Sequence, residues 1–116
     1  MAISEPYTLS AVTVTASELS IVSGTTTLSA VSADGIYQLF LDAVTNMAKG
    51  DEYKVRIYEK AIVGGNTRVI AAWSLLGTQS EMFVTPTFIL THAWDMTIQK
   101  IAGTNRAFDA SIRKVA

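Results

Sequence analysis

The sequence predicts an all-β protein: an antiparallel β-sandwich, a jelly roll or a related Greek key, with seven to eight strands and at most one short helix. Three observations predict it. Apolar and polar residues alternate with a period of two in successive runs, as in strands that bury one face. Gly, Asn, Asp and Ser separate these runs roughly every 8–12 residues, the interval of a sandwich or small barrel. At 116 residues the chain suits one domain, and an alternating sheet must bury its apolar side against a second sheet.

Taken in order, Tyr7–Val14 alternates apolar and hydroxyl side chains. Residues 18–22 (ELSIV) and 26–30 (TTLSA) are shorter candidates on either side of Ser23-Gly24-Thr25. Asp34-Gly35 marks a turn, and residues 36–43 follow with Tyr37, Leu39 and Leu41 on one face. Residues 44–52 (VTNMAKGDE) are the only plausible helix, a turn or two ending at Gly50, which suits a C-terminal cap. Residues 53–63 are the clearest strand. Tyr53, Val55, Ile57, Ala61 and Val63 share one face, with Glu59 as the exception; Lys54, Arg56, Tyr58 and Lys60 share the other. Gly64-Gly65-Asn66 signals a hairpin, and residues 67–76 (TRVIAAWSLL) are apolar on both faces, as in a central strand.

After a loop at 77–81, residues 82–90 are extended, and Pro86 places an edge strand or a bulge there. Residues 93–102 point Trp94, Met96 and Ile98 inward, and residues 106–115 do the same with Phe108, Ala110 and Ile112. Asp95 and Asp109 then fall on solvent-facing positions. Residues 1–10 read as an N-terminal arm or edge segment, because the first six carry apolar residues but no turn to pair them locally. Residues 11–116 form a single sandwich domain.

Charged residues make up 16% of the chain, well below the ~25% of ordinary soluble domains. A surface short of charge predicts that part of it meets another protein. The net charge is −1, with acids interspersed among the nine lysines and arginines, so direct contact with nucleic acid is not expected. The absence of cysteine excludes disulfides, Cys-ligated zinc and thiol catalysis. No apolar run approaches the ~20 residues of a membrane helix, and the first residues lack the pattern of a signal peptide. Cytoplasmic synthesis with no membrane partner is the expectation.

No motif specifies catalysis, a metal or a cofactor. Ala102–Phe108 (AGTNRAF) and Gly64–Ile70 (GGNTRVI) resemble each other, but each leads into a strand, whereas a phosphate loop leads into a helix. Their Gly and Asn suit hairpin tips. His92 is the only histidine, and no nucleophile elbow accompanies it. Asp34, Asp42, Asp51, Glu52, Glu81, Asp95 and Asp109 are dispersed, most beside turns. Trp73 and Trp94 lie on apolar faces and read as core, whereas Tyr58 lies on a charged face and is the aromatic best placed to meet a saccharide. The chain is not expected to be an enzyme.

Residues 34–61 (DGIYQLFLDAVTNMAKGDEYKVRIYEKA) and 100–115 (KIAGTNRAFDASIRKV) resemble small proteins encoded among the structural genes of tailed bacteriophages. The shared features are the DGIYQL strand start, the KGDEYKVRIY turn into a strand and the AGTNRAF hairpin. The resemblance implies a sandwich or jelly-roll component of the virion, a decoration or cement protein of the phage head. It also implies the major capsid protein as partner and a homo-oligomer, a trimer by preference. The alternative is a lectin-like carbohydrate-binding module on the virion surface. The partner-binding positions expected are Ile3, Pro6 and Tyr7 in the arm, Tyr58 on the charged face, and Arg68 and Arg106 at the hairpin ends, where a guanidinium can grip a carboxylate.

Overall fold

The computed structural model describes residues 2–115; Met1 and Ala116, the outer ends of the two predicted ranges, lie outside the described residues. Nine strands form: β1 (Ile3–Val14), β2 (Leu19–Ser20), β3 (Gly35–Asp42), β4 (Glu52–Lys60), β5 (Thr67–Leu76), β6 (Phe83–Val84), β7 (Phe88–Leu90), β8 (Asp95–Ala102) and β9 (Arg106–Val115). There is no helix among the described residues. One sheet runs β1-β9-β3-β6, with β7 also on β3, and the other runs β2-β8-β4-β5. All pairings are antiparallel. Pro86 splits one edge strand into β6 and β7. Counting these as one gives four strands per sheet, and the order in which the chain visits them is that of a jelly roll.

The alternation builds the core directly. Tyr37, Leu39 and Leu41 of β3, Tyr53, Val55 and Ile57 of β4, Met96 and Ile98 of β8, and Phe108 and Ile112 of β9 are all buried between the sheets. Trp94, just before β8, is wholly buried. Its ring lies 4.4 Å from that of Tyr37 and 5.9 Å from that of Tyr7.

The structure departs from the sequence reading in several places. Residues 26–30 are not a strand, because hydroxyls there take over the backbone. Ser23 Oγ accepts the Thr25 N–H (3.2 Å) and donates to the Thr27 carbonyl (2.9 Å). Residues 44–51 are turns and irregular chain and Glu52 opens β4, so no helix forms there. The Met47 N–H reaches the Ala43 carbonyl at 3.3 Å, but Asp51 then takes the Ala48 N–H on its side chain, and Gly50 turns away at φ +93°. β4 stops at Lys60, so Ala61 and Val63 are not inward residues; Val63 is 81% exposed in the hairpin loop.

The boundary drawn after residue 10 falls inside β1. Residues 3–10 are the edge of the chain's own sheet, paired with β9. The pairing shifts register twice, and Ala11 sits at φ +50° with its N–H held by Asp109 Oδ1 at 2.7 Å. Asp95 is not on an open face: β2 and the segment after it cover it. The largest departure is β5, which is not central. It is the outermost strand of its sheet.

Candidate functional site

The six predicted partner positions do not converge. Ile3 and Pro6 are exposed on the β1 edge, while the Tyr7 ring packs edge-on against Trp94. Tyr58 is half-buried on the outer face of the second sheet. Its hydroxyl donates to Glu18 Oε2 at 2.7 Å, and burial first and then this bond push it up to about 12. Thr97 donates to the same carboxylate oxygen, and Arg56 approaches it at 3.4 Å. Beside this group Asp95 accepts from Ser20 Oγ (2.8 Å), the Ser29 N–H (2.9 Å) and the Met96 N–H (2.9 Å). Burial pushes the Asp95 carboxyl above its usual range, against the pull of these donors. The network pins the 18–31 segment over the sheet, so its acids and hydroxyls have structural partners.

Arg106 is also engaged within the chain. Its Nε donates to Asp51 Oδ2 at 2.8 Å, and that carboxylate is buried under the hairpin. Asp51 also accepts the Thr104 N–H (3.0 Å) and the Ala48 N–H (2.9 Å), tying the turn before β4 to the β8–β9 turn. The Tyr53 hydroxyl closes the same corner on the Thr104 carbonyl at 2.7 Å. The Thr104 and Ala48 amides, and then Arg106, lower the Asp51 carboxyl from 3.8 to about 2.

A depressed carboxylate contributes stability that is complete above about pH 3.8 and is lost as pH falls through about 2. Arg106→Ala is therefore expected to lower Tm and to move the acid-unfolding midpoint upward. The move is partial, because the two amides remain. An acid titration followed by circular dichroism checks this; an unchanged midpoint would mean that the ion pair does not hold the corner.

His92 is half-buried, and its own N–H bonds Glu59 Oε1 at 3.0 Å. The imidazole makes no side-chain hydrogen bond to a carboxylate or hydroxyl among the described residues. Among those residues no three His, Asp or Glu side chains are placed to hold a metal. The concavities are shallow. The groove over the outer face of the first sheet, about 290 Å3, presents Phe40, Asp42 and Asp109. Arg113 lies over the Phe40 ring at 3.7 Å from its centroid. Asp42 and Asp109 are spent on the Val44 and Ala11 amides.

What stands open is one side of the sandwich. β5 and the β6/β7 pair are the edge strands of the two sheets on that side, joined across the core by Trp73, whose ring lies 5.5 Å from Phe83 and 6.1 Å from Phe88. Val69 and Leu76 of β5, the register partners of Tyr58 and Glu52, are exposed on the outer face of the second sheet, with Leu76 at 64%; Val84 and Ile89, the partners of Phe40 and Ile36, are exposed on the outer face of the first, with Ile89 at 77%. Arg68 starts β5, exposed and without an ion pair among the described residues. Of the predicted partner positions it alone lies on this side. The sequence signal was the apolar content of 67–76 on both faces, which a buried central strand and an uncovered edge share equally.

Neither a protein-family model nor a curated protein matches this sequence. Among solved structures, the mitogen derived from Yersinia pseudotuberculosis aligns with a TM-score of 0.50 at 9% identity, over 99% of this chain and 86% of the mitogen. This is a likeness of fold, the β-sandwich. The CBM22-1–GH10 modules of the Clostridium thermocellum endo-1,4-β-D-xylanase 10B, solved with xylohexaose, align with a TM-score of 0.43 at 13% identity, over 73% of this chain and 17% of the xylanase chain.

Proposed function

We propose that this protein is a structural component of a phage virion, a decoration protein that attaches to the head as a homo-oligomer and binds the major capsid protein. One observation carries the attachment role. β5, a ten-residue strand with exposed Val69, Ile70 and Leu76, has no partner on its outer side and stands beside the β6/β7 edge of the other sheet. A row of free backbone donors and acceptors flanked by apolar side chains is a ready template for another chain. The virion setting comes from the resemblance of residues 34–61 and 100–115 to phage structural proteins. The jelly roll agrees with it as analogy, since viral capsid and lectin domains share that architecture. In this role many weak contacts act together around a shell, so modest affinity per copy is enough.

The test is co-sedimentation with heads of the encoding phage prepared without this protein. Saturable binding at a fixed number of copies per head is expected, and Leu76→Lys should abolish it while leaving the fold intact, because that side chain is exposed. No binding at any concentration would overturn the reading.

A further inference from the structure

The β4–β5 hairpin ends in an apolar apex. β4 stops at Lys60 and β5 starts at Thr67. Between them the Gly65 N–H bonds the Ile62 carbonyl at 3.0 Å, and Gly64 sits at φ +79° with open space around it. A four-residue turn closed by this bond, with positive φ at its third place, is a form that glycine favours. Ile62 and Val63 are therefore held in place at the apex. Both side chains face water, Ile62 at 67% and Val63 at 81% exposure. Neither packs on the core, so the fold has no use for them. Turns are ordinarily built from Gly, Asn, Asp, Ser and Pro, and two adjacent branched aliphatics at a fixed apex call for a partner.

The charge behind the apex selects that partner. Residues 60–80 hold Lys60 and Arg68 and no acid, the longest acid-free run in the chain. Lys60, Asn66, Arg68 and Ile70 line a hollow of about 300 Å3 beside the tip. Ile70 is the extra residue of the β5 bulge. Glu59, the register partner of Arg68, also lines the hollow, but its carboxylate accepts the Thr91 and His92 N–H groups. Among the described residues neither Lys60 nor Arg68 forms an ion pair. An apolar point thus stands in front of two unpaired cations and an amide side chain.

We infer that this tip enters an anionic lipid surface. Ile62 and Val63 pass below the headgroups, and Lys60 and Arg68 stay at headgroup level against the phosphates, their stems lying along the apolar boundary. A protein pocket is filled by rigid, shaped anchors, above all Trp, Tyr and Arg. Two aliphatic side chains on a convex turn, backed by flexible cations, suit a fluid partner that has no fixed shape. One copy binds weakly. A single myristoyl chain gives only marginal membrane binding, and two short side chains bury less. Each cation adds about a factor of five at an anionic surface, so half-binding falls at roughly millimolar lipid. Many copies on one particle add these contacts together. The inference goes beyond head attachment and does not depend on it, because the tip lies at the Thr67 end of β5 and Leu76 at the other.

The test is flotation of the full chain at millimolar lipid, with vesicles of phosphatidylglycerol and phosphatidylcholine in equal parts and with vesicles of phosphatidylcholine alone. Far-UV circular dichroism is the folding control. Binding to the anionic vesicles only, lost at high salt, is expected. Val63→Asp should weaken it by about tenfold or more and Arg68→Gln by roughly fivefold. Both side chains are exposed, so both variants should fold. No binding to the anionic vesicles, equal binding to both kinds, or full binding by Val63→Asp would overturn the inference. If Val63→Asp abolished head binding in a chain that ignores vesicles, the tip would belong to a protein pocket and the lipid reading would fall. If Leu76→Lys lost the heads yet floated normally, the lipid surface and the head-binding edge would both stand as separate sites.

Discussion

Replacing Trp94 with alanine is expected to destabilise the fold by ~3–5 kcal/mol, the usual cost of emptying a large aromatic site. Typical domains have only about 5–15 kcal/mol in total, so this variant should be largely unfolded at moderate denaturant. The reason is what the indole holds. It is fully buried, packs on Tyr37 from β3 and Tyr7 from β1, and its Nε1–H donates to the Ala33 carbonyl at 3.0 Å. Its backbone exchanges hydrogen bonds with Val31 at 2.9 and 3.1 Å. One residue therefore joins both sheets to the long 21–34 connection. Trp94→Phe keeps much of the apolar area but loses the N–H and part of the ring volume, so an intermediate loss of roughly 1–3 kcal/mol is expected. Urea unfolding measures both, and a small effect for the alanine variant would contradict the position of this core.

Gly103→Ala should also be severe, for a different reason. Gly103 sits at φ +93°, and a Cβ there would stand 2.7 Å from the Asp51 Cα and 2.9 Å from the Gly50 carbonyl oxygen. Backbone strain of about 1–2 kcal/mol adds to about 1–3 kcal/mol of overpacking against groups that cannot swing aside. The Asp51 corner would open, releasing the Thr104 amide and Arg106 together. Gly77→Ala, also at positive φ but with open space around it, should show the strain alone. Similar losses for the two variants would mean that the close approach at Gly103 carries no energy.

The same corner shows how far the sequence could be read. The turn over Gly103 and Asn105 was legible because local chemistry dictates it. That its arginine is held by Asp51, 55 positions away in sequence, was not, because no local pattern records which turns meet. The inward faces of β3, β4, β8 and β9 were legible for the same reason that they form: period-two alternation is a backbone property. Asp95 sits on the outward register of β8, as its neighbours predict, yet it is buried because a distant serine-rich segment folds over that face. β5 is the most instructive residue run. Its apolar content on both faces sets its character, but only the topology decides whether a strand lies on the other side. The uncovered edge, which carries the proposed function, became visible through the sheet order alone.

The central claim is that this edge is covered when the protein assembles. Amide hydrogen exchange across β5, measured with and without phage heads, tests it most directly. The account predicts that the outward-facing amides between Arg68 and Leu76 gain protection on the heads, while the β1 edge continues to exchange as before. Edge amides of β5 that exchange equally fast with and without heads would contradict it.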